Sequence, residues 1–154
     1  MRKTTTVIAD TSCLIALSKI EGIDLLKELY QEVYITEEIA LEFGEELPQW
    51  IRIEKVKNQK YQLLLDLYLD LGEASAIALA LDLENVLLIL DDLKGRKEAE
   101  RLGLTYTGTL GVLFKAKKLG FIKELKPYIE NLKDAGFRIS QNIEEEILRK
   151  SKEK

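Results

Sequence analysis

Residues 86–90 read "VLLIL", a run of five apolar residues with no polar position between them. A strand of this kind has to be covered on both faces, which is typical of a parallel sheet lying between helices. Shorter strand patterns at residues 5–9 and 33–35 are each followed by helical periodicity. Strands that alternate with helices imply right-handed crossovers, so the sequence predicts an α/β fold. We expect three layers, α/β/α, with a central, mostly parallel sheet.

The rest of the chain continues this alternation without a linker or a repeat. Two more short strands are predicted at residues 50–56 and 104–109. Residues 59–70 have a helical pattern, and the final helix is expected at residues 140–150. At 154 residues the chain is long enough for one core, so residues 1–154 are predicted to form a single domain.

Composition narrows the possible chemistry. The chain has no histidine, which excludes Ser-His and Cys-His mechanisms and every zinc site that needs histidine. Its one cysteine cannot form an internal disulfide, which favours a reducing compartment. With no apolar stretch of membrane-spanning length, we expect a cytoplasmic protein without a membrane partner. The net charge of −4 does not indicate a nucleic-acid binder, although a local basic patch would be enough.

Two of the predicted strands end in acids. Asp10 follows the first strand, and Asp91 and Asp92 follow residues 86–90. Ligands of open parallel sheets lie outside the carboxyl ends of the strands, so neighbouring strands would bring these acids to one edge. Glu73 opens the most apolar helix, and Glu42 borders the buried stripe of its own helix.

Each acid also has a purely structural explanation. Asp10 or Ser12 would cap the first helix, and Glu73 would favour a helix N-terminus through the dipole. Asp91 or Asp92 would cap the next helix, and Glu42 would be a solvated side chain. Together, however, uncompensated carboxylates at one edge repel, and a hard divalent cation relieves that repulsion. Without histidine the oxygen ligands favour Mg²⁺ or Mn²⁺, and Ser12 can cap the helix while Asp10 faces the ion.

Residues beside these acids fit a phosphodiester substrate. Lys94 and Arg96 directly follow the Asp pair. Thr109, after the next strand, offers a hydroxyl at a helix N-terminus. Further lysines occur in "FKAKKLGFIKELK", where the charged outer face of amphipathic helices explains them equally well.

Four segments, in order, resemble the motifs of PIN-domain ribonucleases: "VIADTSCLIAL", "ITEEIALEF", "LGEASAIALA" and "LLILDDLKGRKEAERLGLTYTGTLGVLFKAK". The last of these, together with "GFRIS" before the final helix, is most similar to a subgroup related to the VapC toxins. The resemblance covers nearly the whole chain. It implies a PIN-like fold whose acidic pocket binds Mg²⁺ or Mn²⁺.

The resemblance also assigns roles to residues of this chain. The implied catalytic acids are Asp10, Glu42, Glu73, Asp91 and Asp92. Of these, Asp10, Glu73, Asp91 and Asp92 would hold metal, with Glu42 bound through water. The implied supporting hydroxyls are Thr11, Ser12 and Thr109, and the implied phosphate contacts are Lys94 and Arg96. Thr36 stands where relatives often have proline.

The implied activity is metal-dependent endonucleolytic hydrolysis of single-stranded RNA by the toxin of a toxin–antitoxin pair. A homodimer and a small antitoxin protein are the implied partners. The apolar helices at residues 23–30 and 61–71 are candidate interface surfaces, although core packing explains them equally well. The first alternative is a catalytically silent PIN-like module that binds RNA or protein. The second is a phosphoaspartate receiver or phosphatase-type α/β domain. It fits less well because the acidic pair comes late in the chain and residue 12 is serine.

Overall fold

The computed structural model describes residues 5–153. Five strands in this part form one sheet, and every pair is parallel. They are β1 (Thr6–Ala9), β2 (Glu32–Thr36), β3 (Ile51–Glu54), β4 (Val86–Ile89) and β5 (Thr105–Thr107), in the spatial order β3-β2-β1-β4-β5. The predicted α/β fold with a parallel central sheet is confirmed.

Nine helices accompany the sheet within residues 5–153. They are α1 (Thr11–Lys19), α2 (Asp24–Leu29), α3 (Glu37–Phe43), α4 (Gln59–Asp66), α5 (Leu71–Asp82), α6 (Leu93–Arg101), α7 (Thr109–Lys118), α8 (Lys126–Asp134) and α9 (Gln141–Lys150). The most apolar helix, α5, packs against β1, β2 and β4. It is buried without interruption from Gly72 to Ala80, as its apolar sequence requires.

The strand order places β1 and β4 side by side at the centre of the sheet. The chain leaves β1 toward β2 on one side, and β4 continues to β5 on the other. This reversal of direction is a topological switch point, where a crevice opens at the carboxyl ends of the two strands. Ala9 pairs with Ile89 in the register, so Asp10 and the segment after β4 emerge together.

Several predicted element bounds differ from the structure. The strand expected at residues 50–56 ends at Glu54, because its ladder partner β2 ends at Thr36. The helix expected at residues 59–70 ends at Asp66; hydrogen-bonded turns continue to Leu69, and Asp70 is extended and caps α5. The final helix begins at Gln141 rather than residue 140, since Ser140 is its N-cap. No helix within residues 5–153 has the length and apolar character needed to cross a membrane.

Glu153 joins the last helices to α7. Its carboxylate accepts hydrogen bonds from Lys117 Nζ at 2.6 Å and from the backbone N–H groups of Leu125 at 2.7 Å and Lys126 at 3.0 Å. Burial raises the pKa of Glu153, but these hydrogen bonds and the Lys117 charge outweigh it and lower the pKa to about 2. The charged form of Glu153 therefore stabilises the fold.

Replacement of Glu153 by glutamine is expected to destabilise the protein by about 1.5–3 kcal/mol at neutral pH, the usual contribution of hydrogen bonds to a charged group. Because the folded-state pKa is depressed, this contribution is present above about pH 4.5 and is lost as the pH falls toward 2. Urea unfolding of wild type and Glu153→Gln across this range measures it. Glu146→Gln, which removes an exposed ion pair with Arg149, is the control and should change stability little. A stability difference that does not change with pH would contradict the assignment.

Candidate functional site

Asp10 lies at the junction of β1 and α1. Its backbone N–H donates to Ile89 O at 3.2 Å, and its Oδ1 accepts from the Thr11 N–H at 2.8 Å. Asp10 is the N-cap of α1, so of the two capping residues that the sequence left open, it is Asp10 and not Ser12 that caps this helix. The cause is the extended backbone of Asp10, which brings its own carboxylate against the first N–H of the helix. Ser12 lies one residue inside α1, where its side chain is exposed and lines a cavity with Phe137.

Glu42 reaches Asp10 from α3. Its side chain is exposed, and its Oε1 accepts a hydrogen bond from Thr11 Oγ1 at 2.8 Å. Thr11 thus fixes the carboxylate of Glu42 beside the carboxylate of Asp10, which caps α1. The sequence placed Glu42 at the border of a buried stripe, and the structure brings it to the same edge as Asp10.

Gly72 makes this approach possible. A Cβ at this position would overlap Glu42 Oε1 and would lie 3.3 Å from Asp10 Oδ1. The first turn of α5 therefore carries no side chain where the carboxylates of Asp10 and Glu42 meet. No motif in the sequence pointed to Gly72. A glycine inside the first turn of an otherwise apolar helix was the available signal, since glycine there weakens a helix without a compensating role.

Glu73 is 4% exposed and lies in the first turn of α5. Its backbone N–H donates to Asp70 Oδ1 at 2.8 Å, and its carboxyl shares a hydrogen bond with that of Asp92. Asp92 is exposed and also caps α6 by accepting from the Lys94 N–H at 3.1 Å. Two helix N-termini thus meet at this pair of carboxyl groups.

Asp70 is a sixth acid at this edge that the sequence analysis missed. It caps α5, and its charge raises the pKa of both Asp10 and Glu73. The signal was present as Asp70-Leu-Gly-Glu73, which has the spacing of a capping box. It was obscured because residues 59–70 read as one continuous helix.

Asp91 is held by the N-terminus of α7. Its Oδ1 accepts from the Thr109 N–H at 2.9 Å, and its Oδ2 accepts from Thr109 Oγ1 at 2.6 Å. Thr109 itself is fully buried. A Cβ at Gly108 would lie 2.8 Å from Asp91 Oδ1 and would overlap the guanidinium of Arg96, so this close approach requires glycine.

The two predicted phosphate contacts differ in their surroundings. Arg96 is partly engaged: its Nε donates to Leu90 O at 2.7 Å, and its guanidinium lies 3.9 Å from Asp91 and over the ring of Tyr106. Lys94 is exposed and forms no ion pair with another residue of the 5–153 segment. Arg96 therefore has a fixed position beside Asp91, whereas Lys94 has no fixed partner there.

The convergence of acids changes their proton affinity. Burial is the largest cause that raises the pKa of Asp10 to about 7, and the charges of Asp70, Glu42 and Asp91 add to it. The Thr11 N–H opposes this shift by stabilising the charged form. Burial likewise raises the pKa of Glu73, followed by its hydrogen bond with Asp92 and the charges of Asp70, Asp92 and Asp10. The edge thus holds more negative charge than its neighbouring cations balance.

The donor set matches a hard divalent cation in its chemistry. Every candidate ligand is a carboxylate or hydroxyl oxygen, and added positive charge would relieve the repulsion among them. Within residues 5–153, no three acidic or cysteine side chains are already arranged around one point as ligands of an ion. The acids are instead linked in pairs, Asp10 with Glu42 through Thr11 and Glu73 with Asp92 directly. Glu42, Asp70 and Asp92 are exposed, so a ligand can reach their carboxylates from solvent.

A family model described as a PIN domain matches residues 6–153. The chain belongs to the PIN-domain family. No curated protein matches this sequence. PIN domains are generally nucleases and typically use divalent metals, which agrees with an edge that is rich in carboxylates. The predicted family resemblance is thereby confirmed at the level of the family.

The clamp on Asp91 can be tested by a double-mutant cycle. Thr109→Val keeps the side-chain shape but removes the hydroxyl, and should destabilise the PIN domain by about 1.5–3 kcal/mol because the lost hydrogen bond is to a charged acceptor. In an Asp91→Ala background the same change should have a clearly smaller effect, since the acceptor is gone. Urea unfolding of the four proteins measures the coupling. Strictly additive effects would show that the two side chains do not interact.

Proposed function

We propose that this PIN domain is a metal-dependent endoribonuclease that hydrolyses phosphodiester bonds of single-stranded RNA, acting as one domain over residues 1–154. The observation that carries the proposal is the convergence of Asp10, Glu73 and Asp91 at the crevice between β1 and β4, with repulsion that neighbouring cations do not compensate. The membership of a family of nucleases supports it.

The residues that would hold Mg²⁺ or Mn²⁺ are Asp10, Glu73, Asp91 and Asp92, with Glu42 bound through water. When bound, such an ion lowers the pKa of a water molecule and neutralises charge at the reacting phosphorus. The chain supplies the positioning. Thr109 fixes both oxygens of Asp91, and Thr11 orients Glu42 toward Asp10.

Two cations next to the acids would bind the phosphate of the substrate. Arg96 is anchored to Leu90 O, so its guanidinium stays at the carboxyl end of β4. Lys94 lies exposed in the first turn of α6, beside Asp92. A phosphodiester lying across this edge would therefore contact carboxylates and cations together, which favours electrostatic stabilisation of the charge that develops during hydrolysis.

Replacement of Asp10 by asparagine is expected to reduce RNA cleavage in Mn²⁺ by at least about 100-fold, because several kcal/mol of transition-state stabilisation depend on the ligand set. Asparagine caps a helix as well as aspartate does, so the fold should be retained. Gel analysis of a labelled single-stranded RNA measures the rate. Asp24→Asn, at the start of α2, is the control and should cleave like wild type, since Asp24 lines a separate cavity with Ser18 and Pro48.

Equal rates for wild type and Asp10→Asn, or no cleavage by wild type with any divalent metal, would contradict the enzymatic proposal. The second outcome would favour the remaining alternative, a catalytically silent PIN-like module that binds RNA or protein. Calorimetric titration with Mn²⁺ distinguishes the two, because a module without a functional ligand set should bind the metal poorly.

We further propose that the chain is a VapC-related toxin that forms a homodimer and is inhibited by a small antitoxin protein. Apolar side chains are exposed at the residues that precede or follow Glu42, Gly72 and Asp92 in sequence, and along α4, which packs on α5, and the turn after it. They are Leu41, Leu63, Leu64, Leu67, Tyr68, Leu71 and Leu93. Exposed apolar residues concentrated in this way are typical of a protein-binding surface. Of the two candidate interface helices, α4 and the turn after it present this surface, whereas α2 buries Leu26 and Leu29.

Leu67 is 80% exposed and should be central to the dimer contact. Leu67→Lys is therefore expected to shift the protein from dimer to monomer, because a lysine at the middle of an apolar interface has to be desolvated. Light scattering after size exclusion measures the mass. Ile53→Lys, which replaces an exposed residue of the edge strand β3, is the matched control and should leave the dimer intact. A monomeric wild type would contradict the dimer.

A further inference from the structure

A cavity of about 510 Å³ opens directly beside the acidic edge. Its walls include Asp91, Arg96, Tyr106, Gly108, Phe137 and Arg138. The volume is within the roughly 300–1,000 Å³ of pockets that hold small ligands or parts of larger ones. Asp91 is the only one of the candidate catalytic acids in this wall, so the cavity extends away from the cluster rather than repeating it.

The segment between α8 and α9 forms the far wall of the cavity. It carries the "GFRIS" sequence, residues 136–140, to which the proposed chemistry assigns no role. Gly136 has φ of +95°, a left-handed conformation that glycine adopts readily, and the Phe137 N–H donates to Leu132 O at 2.9 Å. This turn places the half-buried ring of Phe137 and the exposed side chain of Arg138 at the cavity.

The walls combine aromatic rings with cations. The guanidinium of Arg96 lies 5.4 Å from the centre of the Tyr106 ring, which holds both side chains in place. Arg138 makes no ion pair with any residue from 5 to 153, so its charge is not compensated by the protein. Aromatic faces for stacking beside cations for the backbone are what proteins use to bind single-stranded nucleic acid.

A second cavity continues the path. It has about 490 Å³, lies between α7 and α9, and shares Gly111 and Ile143 with the first. Phe114 and Lys150 are among its lining residues, and so is Glu146, whose carboxylate lies 3.7 Å from Lys150 Nζ. This cavity therefore offers an aromatic ring beside a cation that the protein itself balances. Because the two cavities share Gly111 and Ile143, they adjoin and together form the groove between α7 and α9.

We propose that the cavity beside Asp91 is a nucleotide subsite of the RNA strand, next to the phosphate that is cleaved. The base lies against Phe137 and Tyr106, and Arg138 binds the phosphate that leads into the groove between α7 and α9. The identity of the strand as RNA rests on the proposed function. The subsite makes the "GFRIS" turn a positioning element for substrate, outside the acidic motifs.

Binding measurements separate this subsite from the chemistry. Fluorescence anisotropy of a labelled single-stranded RNA, with full-length Asp10→Asn protein that does not cut it, gives the dissociation constant. Added Phe137→Ala or Arg138→Ala should each weaken binding about 5-fold to 100-fold, the range measured for the loss of one stacked base or one charge contact. Arg52→Ala is the matched control, an exposed arginine on β3 at the opposite edge of the sheet from β5 and outside both cavities, and should change binding less than 2-fold.

The same variants in the active protein give a second readout. Arg138→Ala should raise KM for RNA cleavage and leave kcat within about 2-fold, because Arg138 contributes uniform binding rather than transition-state stabilisation. An oligonucleotide with an abasic position beside the cleaved bond should bind less tightly to the Asp10→Asn protein. The abasic oligonucleotide should bind Asp10→Asn/Phe137→Ala as tightly as the intact oligonucleotide does, because the ring that stacks on the base is already absent. Circular dichroism checks the fold of each variant. If Phe137→Ala unfolds, Arg138→Ala still tests the subsite, because Arg138 is exposed and its replacement should leave the fold intact.

Unchanged RNA affinity in both variants, an equal loss in Arg52→Ala, or no RNA binding by any protein would overturn the subsite. Arg138-dependent binding of polyglutamate without RNA binding would overturn it as well and assign the cavity to an acidic peptide. Arg138-dependent RNA binding by a wild type that never cuts would support the subsite while contradicting the proposed function. Cleavage whose rate and KM do not change in the Arg138 and Phe137 variants would support the proposed function while contradicting the subsite.

Discussion

The parallel pairing of β1 with β4 is the contact on which the rest of the molecule depends. These two strands lie at the centre of the sheet, and their register brings Ala9 opposite Ile89. Because both strands are covered by helices, this register is set by the core and not by the acids that follow. The acidic edge therefore follows from hydrophobic packing, so the repulsion between its carboxylates can persist without displacing the strands.

The sequence predicted most of the fold and most of the edge. The uninterrupted apolar run at residues 86–90 implied a doubly covered strand, and the acids after two strands implied a shared edge. The bounds of α4 were wrong because periodicity continues through Tyr68, whereas the chain is stopped by the extended conformation of Asp70. Which residue caps α1 depends on the backbone conformation of Asp10, which residue type alone does not determine.

The residues that were missed are ones whose neighbours come from distant parts of the chain. Gly72 and Gly108 matter because a methylene there would collide with Glu42 or with Arg96, and no local pattern specifies those neighbours. Arg138 and Phe137 reach Asp91 only through the fold, from a position 46 or 47 residues later in the chain. This proximity depends on how α8 and α9 pack against the rest of the domain. The sequence predicted the final helix, but its pattern does not show where that helix packs.

The carboxylate of Glu153 connects the last three helices through hydrogen bonds. It connects α7 through Lys117 with the N-terminus of α8, while its own segment follows α9. α7 begins at Thr109, which holds Asp91, and its last turn contains Lys117, which binds Glu153. Because α9 forms one side of the groove, α7 connects Asp91 at one end with the groove-forming segment at the other. We expect residues 109–153 to open as one cooperative unit in native-state hydrogen exchange. The free energy of that opening would then set both the access to the groove and the local stability of these residues.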